Sequence, residues 1–272
     1  MQSSNPVFAR SEGFSARRTS QSGVTYPDYN QPSAWGTGAP QAPETYAPAQ
    51  PQAPMTIDSV VQKTGITMGL MILTAAITWV ALPEELLGMA WMGGAIVGFA
   101  LGMVLSFKRQ ISPALVLVYA VAEGLFVGAM SKTFEAMWPG IVTSAVMGTM
   151  AAVIGTLAAY KFFNIQVSPR FRKFTVAAMF GFVGLILLDF VLSFFGVAIG
   201  FNGFGGLGLL MSVIGLALGV LMLILDFDFV ERGIAARLPE QESWRAAFGL
   251  TVTIIWIYIE MLRILAILRG SD

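Results

Sequence analysis

Six ionisable residues stand in stretches otherwise too apolar to hold them. They are Glu123 in YAVAEGLFVG, Asp189 in GLILLDFVLS, Glu260 and Arg263 in WIYIEMLRIL, and Asp226 and Asp228 in LILDFDFVERG. A charge at the centre of a bilayer costs at least about 2.5–3.5 kcal/mol, so one retained there needs a reason. Carboxylates attract protons and cations, and acids at such positions suit a path for either. The chain has no histidine and no cysteine. That removes thiol catalysis, disulfides, histidine–metal sites and a Ser-His-Asp triad. It also leaves carboxylates as the groups from which a proton switch near neutral pH must be built.

Each of these residues also has a plain structural reading. Glu260 and Arg263 are three apart and can pair on one helix face, and Arg263 can instead snorkel outward. Asp226 and Asp228 can be a solvated helix end. Glu123, just before Gly124, can be a protonated structural group bonded to a neighbouring helix. Asp189 resists this treatment most, because uncharged apolar residues flank it on both sides.

The elements that must carry these groups are long apolar runs. Hydrophobic residues make up 56% of the 272-residue chain and charged ones only 12%, about half the usual share of a globular domain. Sixteen basic residues balance sixteen acidic ones, so no basic excess points to nucleic acid. Runs near the 20 residues needed to span a bilayer cover 64–82, 86–107, 111–131, 138–160, 174–196, 204–225 and 246–268. They lack period-2 alternation, which favours helices over barrel strands. Pro83, Pro113, Pro139 and Pro169 fall at their boundaries, where proline starts or stops helices. The expectation is an all-α bundle of seven transmembrane helices over residues 56–272. Small residues at contact spacing, Gly94/Gly98/Gly102, Gly124/Gly128 and Gly215/Gly219, allow close helix approach.

Residues 1–55 read as a disordered, cytoplasmic tail rich in Pro, Gln and Ala, with little to bury. Pro48, Pro51 and Pro54 have PxxP spacing, although a spacer is the simpler reading. With the N-terminus in the cytoplasm, inner segments hold most of the basic residues, among them Lys63, Lys108, Arg109, Lys161, Arg170, Arg172, Lys173, Arg232, Arg237 and Arg245. Only Lys132, Arg263 and Arg269 fall elsewhere. Seven spans then place the C-terminus outside if the last helix crosses completely. Helical rise puts Glu123, Asp189 and Glu260 roughly 18–24 Å from the inner side, a depth at which they could line one polar cavity. Asp226 and Asp228 would form an acidic cluster at its inner mouth.

From the third run onward the chain resembles the Bax-inhibitor-type membrane proteins (the transmembrane Bax inhibitor motif family, with its bacterial YccA-like branch). The resemblance rests on YAVAEGLFVG, PGIVTSAVMGT, LILDFDFVERG and WIYIEMLRIL, and covers roughly residues 60–270. It implies a seven-helix bundle with the last helix in the centre, set in a bacterial plasma membrane and acting as a pH-sensitive calcium leak. In that family one acid on the sixth helix and one on the seventh share a proton and control the pore. By motif position these are Asp226 and Glu260, the latter a glutamate where the family usually has aspartate. Helical rise separates the two, but the family pairing is preferred here over the run boundaries. Arg263 is the candidate basic partner, and Asp189 matches no family motif.

Three functions follow for testing. The first is passive, proton-gated movement of calcium or another cation, with Asp226 and Glu260 as the acids that contact calcium and no cofactor. The second is a regulator without transport that binds another membrane protein, such as the membrane-embedded protease some bacterial relatives are held to modulate. The third, an intramembrane aspartyl protease, lacks the YD and GxGD motifs, so an enzyme is not expected.

Overall fold

The computed structural model describes residues 53–197 and 199–270. The expected tail therefore lies, apart from residues 53–55, outside the described residues. Among the described residues, seven helices are long and apolar enough to cross a membrane. They are α1 (Ile57–Ala81), α2 (Leu87–Phe107), α3 (Pro113–Met137), α4 (Ile141–Phe162), α5 (Pro169–Ser193), α6 (Gly206–Ala235) and α7 (Glu242–Gly270). A short 3-10 turn (Glu84–Leu86) precedes α2.

Local chemistry sets the helix ends. Thr56 and Ser59 form a reciprocal capping box at the start of α1. Leu82 is extended because Pro83 follows it. Pro113 and Pro169 open α3 and α5, where a missing N–H costs nothing. Gly140 adopts φ 80° in the tight turn between α3 and α4. There the Glu135 carboxylate accepts from the amides of Gly140 and Val142.

Helix α7 is central, packing on α1, α3, α4 and α6, while α5 rests on α6 and α2 on α3. Its 29 residues span about 43 Å. At one end Ser243 meets Ser59 of α1. At the other, Arg269 donates to Pro139 O and Ser144 Oγ beyond α3. The last helix therefore runs the full height of the bundle.

The bundle end where α1, α3, α5 and α7 begin is tied by polar contacts. Met55 N donates to Leu238 O and Glu240 N to Ala53 O, so the stem before α1 pairs with the α6–α7 connection. Buried Lys63 donates to the Glu240 carboxylate at 2.8 Å. Gln241 and Arg245 reach carbonyls of the α2–α3 connection. Pro54, expected within a spacer, is thus part of a bridge with Pro239.

Several helix boundaries depart from the sequence expectation, most of all around the α6–α7 connection. Helix α6 continues ten residues past the apolar run, to Ala235, and α7 starts at Glu242. Hydropathy ends where the polar residues begin, but a helix ends only where its backbone hydrogen bonds do.

Where α3 meets α1, glycine is required by space. A β-carbon at Gly124 would lie 2.5 Å from Met71 O, and one at Gly128 would lie 2.6 Å from Ala75 O. Both obstacles are main chain and cannot swing aside. Each of Gly124→Ala and Gly128→Ala is expected to lower stability by about 1–3 kcal/mol, read from unfolding in detergent. Gly155, with open space around its α-carbon, is the control. Equal stability of all three variants would show that the close approach contributes nothing.

Candidate functional site

Asp226 lies on α6 and turns toward α7. Thr253 Oγ1 donates to its Oδ2 at 2.6 Å, and a β-carbon at Gly249 would lie 3.2 Å from its Oδ1. Gly249 and Thr253 are one turn apart, so they form one seat on the central helix. Thr253 differs from Thr67, Thr74, Thr78, Thr149, Thr156 and Thr251, whose hydroxyls return to the carbonyl four residues back. Its hydroxyl is committed across the interface instead. Among the described residues Asp226 has no ion-pair partner.

Asp228, two residues on, faces another way. It is buried and bonded by both Arg172 of α5 (2.6 Å) and Arg232 of its own helix (2.8 Å). Arg232 also donates to Val167 O, before α5. The expected acidic cluster of Asp226 and Asp228 is therefore absent. Two residues turn a helix by about 200°, which sends the side chains to opposite sides. Asp228 fastens α5 to α6.

Glu260 is not brought together with Asp226. Its Oε1 would meet a β-carbon at Gly215 at 2.6 Å, about 16 Å along α6 from Asp226. Helices α6 and α7 run antiparallel, so residues farther along α7 face residues earlier on α6. The family motif located an acid on each helix but not this register. Glu260 Oε2 lies 3.6 Å from Arg263, whose other nitrogen donates to Phe201 O in the α5–α6 connection. Arg263 thus partners Glu260, not an Asp226–Glu260 pair. Trp256, stacked edge-on with Phe182, donates to Gly215 O and closes the site.

Glu123 is buried on the other side of the bundle. A β-carbon at Gly98 of α2 would lie 2.5 Å from its Oε1, and Tyr119 one turn earlier packs edge-on against Phe248. Asp189 is engaged by main-chain amides of the α5–α6 connection. Oδ1 accepts from Ile199 N and Gly200 N, and Oδ2 from Asn202 N. It shapes the α5–α6 connection. Its depth differs from the expectation because α5 begins at Pro169, which puts Asp189 about 30 Å along the helix, near its far end. Glu123, Asp189 and Glu260 therefore do not line one cavity.

One pattern unites the three remaining carboxyl groups. Glu123, Glu260 and Asp226 each sit against a glycine of a neighbouring helix: Gly98, Gly215 and Gly249. The missing side chain gives the carboxyl room between two packed helices. Gly98 and Gly215 were visible in the sequence as small-residue spacing. Gly249 and Thr253 were not, since nothing in a threonine's identity tells whether its hydroxyl serves its own helix or another. Among the described residues, no three metal-binding side chains converge.

An all-helical bundle of seven apolar spans around a central seventh helix, with carboxyl groups seated between helices, defines a polytopic membrane protein. A family model described as Bax inhibitor 1 like matches residues 5–270, and the chain belongs to that family. The match takes in the N-terminal tail, which the motif resemblance had left out. No curated protein matches the chain.

Proposed function

We propose that this protein is a proton-responsive cation leak, with calcium as the ion, controlled by Asp226 at the contact between α6 and α7. The observation that carries the reading is the Asp226–Thr253 hydrogen bond. It joins a carboxyl with no cationic partner among the described residues to the helix that touches four of the other six. The other inward acids are less free to respond. Asp228 is held by two arginines and Glu260 lies beside one. A carboxyl that gains or loses a proton changes both its charge and its hydrogen bonding, and so biases how α6 packs on α7.

Calcium-dye flux into liposomes containing the full chain tests this. The expected result is a flux that changes with pH. Well-folded protein with no flux, or a flux indifferent to pH, overturns the reading. The protease-like reading has no support, because the two acids it needs are not adjacent. The regulator reading places its partner contact in the tail, outside the described residues.

The same proposal sets the end bearing Lys63, Arg172, Arg232 and Arg245 in the cytoplasm, by the bias of basic residues to that side. The chain has no native cysteine, so single cysteines report cleanly. A membrane-impermeant maleimide should label Glu84→Cys in intact cells and Lys108→Cys only after permeabilisation. The reverse pattern would invert the orientation.

A further inference from the structure

Between α1 and α4 lies a groove of about 540 Å³, floored by α3 and α7. Its walls include Ile72, Ala76 and Trp79 on one side and Val146, Met150 and Ile154 on the other. The hydroxyls that reach it are engaged with one another or with their own helix. Ser131 Oγ and Tyr258 Oη share a hydrogen bond of 2.7 Å, and Thr149 Oγ1 donates to Ala145 O. Water in a cavity needs two to four polar partners, and these largely apolar walls offer few. Hydrocarbon needs none.

The groove's length and its upper end narrow the occupant. Along α1 it runs from Met68 to Val80, about 18 Å, close to the roughly 15 Å half-thickness of a bilayer's hydrocarbon core. It extends toward the bundle end where α7 finishes. There Lys132, one turn beyond the groove-lining Gly128, donates to Leu82 O at 2.8 Å. No carboxylate among the described residues forms an ion pair with it. An ammonium has three donors, so two remain. On the α4 side Arg269, among the described residues, is likewise bonded to neutral oxygens, Pro139 O and Ser144 Oγ. The nearby Glu135 is engaged by main-chain amides, and Glu84 and Glu85 are exposed in the turn beyond Leu82.

We infer that this groove binds one phospholipid of the leaflet at the α7 C-terminal end, its acyl chain between α1 and α4 and its phosphate at Lys132. The apolar trough takes the chain, and the cation without a carboxylate takes the headgroup. This site is separate from the Asp226 contact and does not depend on the leak reading.

Native mass spectrometry of the full chain, purified in mild detergent after reconstitution in phosphatidylglycerol vesicles, tests it. The wild type should keep one phospholipid mass through detergent exchange that strips the annular lipid. Ala76→Phe combined with Val146→Phe, which fills the groove from both rims, should lose it. Lys132→Gln, which leaves the trough intact, should lose the lipid at a milder exchange than the wild type. Equal retention in the wild type and the filled variant overturns the proposal. So does a wild type with no bound lipid, or one carrying a second copy or another protein in its place. If the filled variant fails to fold, the wild type and Lys132→Gln still decide: no bound lipid, or retention unaffected by the lysine, refutes the site.

Discussion

Asp226→Asn should yield a leak that no longer responds to pH, fixed near the level the wild type shows in acid. Asparagine approximates the protonated carboxyl in shape and cannot ionise, so the variant is held in one of the two states the wild type moves between. The size of the effect follows from linkage. A carboxyl that binds its proton tenfold more tightly in one arrangement of the bundle shifts the ratio of arrangements about tenfold across its titration. The wild type should therefore change flux by about that factor, and Asp226→Asn should flatten it. Thr253→Val keeps the carboxyl and removes its hydrogen bond, so this variant should retain a pH response displaced along the pH axis. Glu260→Gln should leave the response in place, since Glu260 faces Gly215 and Arg263 and not Asp226. An Asp226→Asn protein with wild-type pH dependence would remove Asp226 from control.

Removing both arginines around Asp228 should be the most destabilising change. Asp228 is 4% exposed, while the side chains of Arg172 and Arg232 are about half exposed, so the acid bears the cost of burial. In Arg172→Met/Arg232→Met the carboxylate keeps its burial and loses both charge partners. Stranding a buried charge costs about 3–5 kcal/mol. Each single variant leaves one bond intact and should cost less than half of that, so the two changes should not add. Adding Asp228→Asn removes the stranded charge and should recover most of the loss. Unfolding curves in detergent measure all four proteins. A triple variant as unstable as the double would trace the loss to packing of the arginine stems.

The contrast between these neighbours shows how the fold assigns roles. Asp226 and Asp228 have the same chemistry and nearly the same place in the sequence, yet one controls a helix contact in the proposed leak and the other fastens α5 to α6. Their difference comes from the helical rotation between them and from what α5 and α7 present on each side. The far end of the bundle repeats the theme. Asp189 gathers the α5–α6 connection by its amides, and Arg263 bonds that connection beside Glu260.

The sequence alone determined the membrane-spanning class, the seven helices and the family, because these depend on local quantities. A run of about 20 apolar residues, a proline at a boundary and a glycine at contact spacing act through the chain's own neighbourhood. It also marked the acids that would need a reason to be buried. It could not give that reason, which lies on other helices. The register of antiparallel α6 and α7 places Thr253 opposite Asp226 and Gly215 opposite Glu260, and hydropathy carries no information about register. Nor could it see that Arg172, far along the chain, would meet Asp228, or that Asp189 would bind main chain. A charge's cost inside a bilayer is set by its own type, whereas what offsets the cost is set by partners that only the packed bundle brings within reach.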